Sequence, residues 1–109
     1  MRVLKFLVRG QVISKDPECD FDGLVPGSDG YLKAEFRFSP DWDGYKKVVG
    51  FSNVFHTAEF QPQVLEDGLT CIIPAEALKR KRFVLWVVGK NATEKKTTND
   101  ILIRQNGGN

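Results

Sequence analysis

Two aspartates and a tryptophan lie within three residues of one another in the stretch SPDWDG. The carboxylates of Asp41 and Asp43 could ligate a cation or form an acid–base pair. A calcium loop, however, needs a longer series of alternating acidic residues closed by a distant glutamate, and that series is absent here. A turn explains the stretch better: Pro40 starts it, Gly44 permits a positive φ, and Trp42 folds back into the core. The sequence therefore predicts a structural turn, with no metal and no cofactor site.

His56 is the only histidine of the chain. The sequence alone gathers no nucleophile, base and orienting group around it, so we expect no catalytic residues. The phosphate-binding patterns GxxxxGK[ST] and GxGxxG are also missing. An enzyme survives as an alternative only if Asp41, Asp43 and His56 converge in space.

The block KRKR at residues 79–82 is the densest positive cluster, and Lys95 and Lys96 form a second one. Sites for single-stranded nucleic acid interleave cations with aromatic side chains on which bases stack, and the block contains none. The formal net charge of +2 is also small for a protein that binds polyanions. We therefore interpret the block as a solvated loop that guards the next strand against edge aggregation, and nucleic acid is not the expected partner.

The two cysteines, Cys19 and Cys71, belong to no CxxC motif. The chain shows no secretory signal and no apolar run of about 20 residues, the length that a membrane helix needs. We predict two free thiols in a protein made in a reducing cytoplasm, without a membrane partner.

Short strands separated by turn signals dominate the pattern. In YLKAEFRF, apolar and polar side chains alternate, which places one row inward and one outward. We predict an all-β antiparallel sandwich, Ig-like or jelly-roll-like, as one domain over residues 1–105, followed by a flexible tail or linker at 106–109. At most one short helical turn is expected, near Pro74. The predicted strands lie near residues 2–12, 30–38, 45–52, 54–64, 69–73, 82–89 and 98–105.

The strand RFVLWVVG has no polar face. Its alternation puts Val84, Trp86 and Val88 on the side opposite the core, where they need a cover. Either the long loop 14–29 folds over Trp86, through Cys19, Phe21, Leu24 and Val25, or a second subunit covers it with Trp86 as anchor. Both alternatives stay open, and Val84, Trp86 and Val88 are the tentative interface. The expected core residues are Phe36, Phe38, Trp42, Phe51, Leu85 and Ile101.

The segments LKFLVRGQ, YLKAEFRFSPDWDGYKKVVGF, LTCIIPAEAL, FVLWVVG and KKTTNDILI follow one another in an order that covers nearly the whole chain. This order resembles a module of tailed-phage and prophage virion proteins, the N-terminal domains of baseplate upper proteins and head-fibre proteins. The shared pattern is an F-x-F strand, a W-x-G turn, a strand ending in Phe, an acidic-Gly turn, a Cys-x-(I/V)-P strand end, an apolar strand closing in Gly and a Thr-rich lead. The matching positions are Phe36, Phe38, Trp42, Gly44, Phe51, Asp67, Gly68, Cys71, Pro74, Gly89, Thr97 and Thr98.

The resemblance implies a non-enzymatic structural module that docks a fibre, a capsid decoration or a baseplate component onto the particle. It also implies that Trp42, Gly44, Phe51 and Pro74 are structural motif residues. The implied partners are other virion proteins, namely capsid, baseplate or fibre subunits, in a homo-oligomer that would be a trimer as phage fibres are. The implied location is the virion, after synthesis in the host bacterial cytoplasm. A small phage-encoded inhibitor of a host defence protein is the alternative, because one sandwich can serve many partners.

Overall fold

The alternating segments of the sequence form two facing β-sheets. A computed structural model describes residues 1–27 and 29–105, so the tail predicted at 106–109 lies outside the described residues. A 3-10 turn at Pro40–Trp42 joins two of the strands. The elements are β1 Arg2–Arg9, β2 Val12–Lys15, β3 Leu32–Phe38, β4 Lys46–Ser52, β5 Glu59–Val64, β6 Thr70–Ile72, α1 Ala75–Leu78, β7 Arg82–Lys90, β8 Lys95–Thr97 and β9 Ile101–Arg104.

The four-stranded sheet has the order β2-β1-β3-β6, and the five-stranded sheet has the order β5-β4-β7-β8. The fifth strand, β9, pairs with the first half of β7, while β8 pairs with its last residues. The predicted all-β sandwich is confirmed. One pair departs from the antiparallel expectation, because β1 and β3 run parallel. A parallel pair needs a long connection, which β2 and the loop before β3 provide.

Three of the predicted strands differ from the structure by more than two residues. The segment 2–12 divides into β1 and β2 because Gly10 adopts a φ of +58° and turns the chain into a hairpin. The segment predicted at 54–64 becomes a strand only at Glu59, after a turn that contains His56. The short strand β8 was not predicted, and its pairing with β7 leaves β9 to start later than residue 98.

The core lies between the inner rows of the two sheets. Leu4, Phe6 and Val8 of β1 face it from one side, and Leu85 and Val87 of β7 face it from the other. Four of the predicted core residues are almost fully buried, and two are only partly buried against the core. The buried ones are Phe36, Trp42, Phe51 and Leu85, and the partly buried ones are Phe38 and Ile101.

The long loop between β2 and β3 packs on the core and does not cover Trp86. Leu24 is 2% exposed and belongs to the core, and the ring of Phe21 lies edge-on 5.5 Å from that of Phe6. Trp86 projects from the opposite side of β7, since neighbouring residues of a strand alternate between faces. The hypothesis that this loop folds over Trp86 is therefore wrong.

No helix in the described ranges is both long and apolar enough to cross the lipid bilayer.

Candidate docking face

The outer face of the five-stranded sheet carries a continuous apolar row, which we call the apolar strip. Val64 of β5 lies opposite Val48 of β4, and Val48 lies opposite Val88 of β7. Further along β7, Val84 lies opposite Leu102 of β9. The strip consists of Val48, Val64, Val84, Trp86, Val88 and Leu102.

The three tentative interface residues share this face but differ in exposure. Val84 is only 5% exposed because its strand neighbours cover it, whereas Trp86 and Val88 are half-buried. At the edge of the strip, Val64 is 39% exposed. The sheet itself thus supplies part of the cover that the sequence pattern demands, and the centre and the β5 side of the strip stay accessible.

Trp86 lies across Gly50, its partner on β4. A Cβ atom at residue 50 would come within 2.3 Å of the indole atom Cε2, so only glycine leaves room for the ring. The ring of His56 lies on the indole with centroids 5.1 Å apart. The tryptophan at the middle of the strip is therefore held by contacts within its own chain.

A serine, a histidine and an aspartate meet beside Trp86, which sequence reasoning missed. Ser52 Oγ lies 3.3 Å from His56 Nδ1, and His56 Nε2 lies 2.5 Å from Asp100 Oδ2. Ser52 is fully buried, and its hydroxyl donates a hydrogen bond of 2.7 Å to the carbonyl oxygen of Asn53. A catalytic nucleophile must reach its substrate, so this arrangement is suited to supporting Trp86 and not to acyl transfer.

The backbone conformation of His56 explains why its ring is held by two partners, Ser52 and Asp100. Its φ of +57° is unusual for a residue other than glycine, and such a conformation persists only where the surroundings fix it. Ser52 and Asp100 hold the two ring nitrogens. The short spacing from Ser52 to His56 was visible in the sequence, but the approach of Asp100 depends on the pairing of β9 with β7. The expectation that the chain is not an enzyme stays a prediction.

The SPDWDG stretch forms the predicted turn. Pro40–Trp42 is a single 3-10 turn, and Gly44 has a φ of +81°. Trp42 is fully buried, and its Nε1 donates a hydrogen bond of 2.8 Å to the carbonyl oxygen of Gly10. Two other motif residues also have structural positions: Phe51 is 1% exposed, and Pro74 directly precedes α1.

Lys96 of β8 packs against this turn. Its ammonium nitrogen lies 4.5 Å from the centre of the Trp42 ring and 4.3 Å from that of Tyr45. The same ammonium donates hydrogen bonds to Asp41, 2.8 Å to the carbonyl oxygen and 3.1 Å to Oδ2. The hydroxyl of Ser39, and then Lys96, lower the pKa of Asp41 below its ordinary value. Asp41 and the rings of Trp42 and Tyr45 therefore all contact Lys96 of the same chain, so Asp41 already has a partner.

The enzyme alternative required three residues to converge. Asp41 pairs with Lys96, and His56 pairs with Asp100. Within the described residues, no hydrogen bond joins Asp41, Asp43 and His56 to one another. Over residues 1–27 and 29–105, no group of three or more histidine, cysteine or acidic side chains is arranged to hold a metal ion.

The basic block 79–82 is exposed on the turn between α1 and β7 and on the first residue of β7. Together with Asn53, Val54 and Phe55 of the β4–β5 turn, it lines an open cleft of about 410 Å³. Phe55 is 78% exposed. We call this feature the basic cleft.

Both cysteines are free thiols, as predicted. Burial, with a smaller contribution from the nearby charge of Asp67, raises the pKa of the Cys71 thiol to about 12. Cys71 therefore stays protonated at neutral pH and is a poor nucleophile.

No protein-family model, no curated protein and no solved structure matches this chain significantly.

Proposed function

We propose that this chain is a non-enzymatic module of a tailed-phage particle that docks a fibre, a decoration or a baseplate component through its apolar strip. The apolar strip is the observation that carries the proposal. Contiguous apolar surface between charged margins is typical of a protein interface. The order of motifs that resembles baseplate upper and head-fibre proteins supplies the phage setting.

The ends of the strip indicate what kind of partner fits it. Lys46, Lys90 and Lys95 are neighbours across β4, β7 and β8 at one end, and Arg82 lies opposite Arg104 at the other. All five side chains are exposed. A two-fold pairing of the strip with itself would bring cations against cations in either orientation. The fitting partner is therefore a different virion protein, with an apolar ridge between acidic flanks.

We also propose that the chain forms a homo-oligomer, but through a contact other than the pairing of two apolar strips. A cyclic oligomer, a trimer by the resemblance, joins two unlike surfaces of neighbouring copies and needs no pairing of the strip with itself. Light scattering on the purified protein tests this part alone. A monomeric wild type removes the oligomer and leaves the docking proposal standing.

The docking proposal is tested on particles. We expect mass spectrometry of purified virions to find the protein at a fixed copy number. Val88→Lys places a charge in the half-buried centre of the strip and should reduce incorporation at least tenfold. Ile72→Lys is the matched control, because Ile72 is 41% exposed on the outer face of the other sheet. Val84→Lys is a poorer choice, since a residue that is 5% exposed tests folding and not docking.

Two outcomes would overturn the docking proposal. Equal incorporation of folded Val88→Lys and Ile72→Lys would show that the strip is not the docking face. Absence of the wild-type protein from particles, together with synthesis early in infection, would favour the inhibitor of a host defence protein.

A further inference from the structure

The cations of the basic cleft have no acidic partners within the described residues. The two salt bridges among the described residues join Lys96 to Asp41 and His56 to Asp100, and neither includes a residue of the block 79–82. Arg80 makes a different contact, with its guanidinium group 5.0 Å from the centre of the Phe60 ring. The positive charge along this wall is therefore open to an external anion.

The sheet register adds to this charge. Arg82, the last residue of the block, lies directly opposite Arg104 on β9. Like charges at opposed strand positions destabilise a sheet. An anion bound beside Arg82 would offset this repulsion, because charge-assisted hydrogen bonds to arginine are strong.

An aromatic side chain stands on the other wall of the cleft. The block itself contains no aromatic residue. The fold brings Phe55 from the β4–β5 turn to the same cleft, with 78% of its surface exposed. Cations on one wall and a free ring on the other are the two parts of a site for a single strand.

The basic wall is also held in place. The backbone nitrogen of Gln105 donates a hydrogen bond of 2.7 Å to the carbonyl oxygen of Lys81. The side-chain nitrogen of Gln105, itself 3% exposed, donates to the carbonyl oxygens of Leu78 at 2.9 Å and Arg80 at 2.8 Å. These bonds fix the backbone that carries the cations, so part of the ordering cost of binding is already met.

We propose that the basic cleft binds a short segment of single-stranded nucleic acid, with phosphates along residues 79–82 and one base stacked on Phe55. A glutamate-rich protein segment would match the charge but would leave the exposed ring without a planar partner. The proposal is tested separately from docking, because Phe55 and residues 79–81 neither belong to the apolar strip nor flank it, and only Arg82 is shared, as a cation at the end of the strip.

The probe is a fluorescein-labelled dT12 oligonucleotide, with binding followed by anisotropy against salt concentration. We expect micromolar affinity and a log–log salt slope of about −2 to −3, since each phosphate contact contributes about −0.7 for a single strand. Phe55→Ala should weaken binding by about tenfold with the slope unchanged, because it removes stacking and no charge. The double variant Lys81→Ala, Arg82→Ala should make the slope shallower by about 1.4.

The matched control is the double variant Lys90→Ala, Lys95→Ala, which removes the same charge from the other end of the same sheet, where no cleft residue lies. It should change the affinity less than about twofold. Equal weakening by both double variants would overturn the proposal, because binding would then follow net charge alone. No saturable binding would also overturn it. So would unchanged affinity in Phe55→Ala together with equal competition by a decaglutamate peptide, which would assign the cleft to acidic protein segments.

Discussion

The outer faces of the two sheets follow the same alternation but differ at their centres. On the four-stranded sheet the central positions are charged, with Lys5 of β1 opposite Glu35 of β3. On the five-stranded sheet the corresponding region holds Val48, Trp86 and Val88. Opposed charges are well solvated and support each other across strands, whereas the apolar positions gain free energy only when something covers them. The comparison teaches that the centre of the four-stranded sheet is compatible with water, whereas the centre of the five-stranded sheet keeps accessible apolar surface, which the proposed partner would bury.

The largest expected effect is a loss of stability, and it should be greater for a tryptophan of the core than for the tryptophan of the apolar strip. Trp42→Ala removes a fully buried ring and should lower the free energy of unfolding by about 3–5 kcal/mol. Trp86→Ala removes a half-buried ring and should cost about 1–3 kcal/mol. Urea denaturation of both variants measures the difference. Equal losses would mean that the apolar strip is packed as tightly as the core, and the contrast between a covered and an uncovered face would fail.

The second prediction concerns the glycine beneath Trp86. Gly50→Ala should destabilise the protein by about 1–3 kcal/mol, because its new methyl group meets the indole and forces it to move. Most of this cost should vanish when Trp86→Val is added, which a double-mutant cycle measures. Glu35→Ala on the other sheet is the control, with an expected change within about 0.5 kcal/mol. If Gly50→Ala destabilises the protein equally in the Trp86→Val background, the cause would lie in the backbone and not in a clash with the indole.

The smallest expected effect is the change in stability when Asp67 is protonated. Asp67 lies where the chain passes from the five-stranded to the four-stranded sheet. In the turn between β5 and β6, Asp67 accepts hydrogen bonds from the Thr70 hydroxyl and from the backbone nitrogens of Leu69 and Thr70. These bonds, the Thr70 hydroxyl first, lower the pKa of Asp67 from 3.8 to about 2. The folded state therefore gains stability that is complete above pH 3.8 and is lost as the pH falls towards 2.

Thermal melts across this pH window measure the loss. The Tm of the wild type should fall between pH 4 and pH 2, and Asp67→Asn should show a smaller fall because it has no carboxylate to protonate. Thr70→Val should make the fall smaller and complete it at a higher pH, because the folded-state pKa of Asp67 then lies closer to its unfolded value. Identical Tm profiles against pH for wild type and Asp67→Asn would show that protonation of Asp67 does not contribute to the loss of stability in acid.

The sequence predicted the sandwich because its strongest signals are local. Alternation in β3 and the turn residues around Trp42 act within a few positions, so they indicate strands and turns correctly. The missed features depend on partners far away in the chain. Strand β8 has only three residues and exists because it pairs with β7, and the parallel register of β1 with β3 leaves no local trace.

The candidate sites follow the same rule. The lack of a polar face in β7 pointed directly to Val84, Trp86 and Val88, because that signal is contained in one strand. The neighbours that complete the face, Val64 and Leu102, come from other strands and have no motif of their own. Phe55 reaches the basic cleft only through the turn after β4, so a search for aromatic residues within the basic block could not find it.

Strand β7 pairs with β4, β8 and β9, so the five-stranded sheet cannot form before this late segment of the chain is made. At a translation rate of about 5–20 residues per second, β4 and β5 wait a few seconds for it. During that time the edge of β4 that β7 will occupy is unpaired, and the valines of β4 are uncovered on both sides. A nascent chain stalled before residue 82 should therefore bind chaperones, whereas one released after β9 should not.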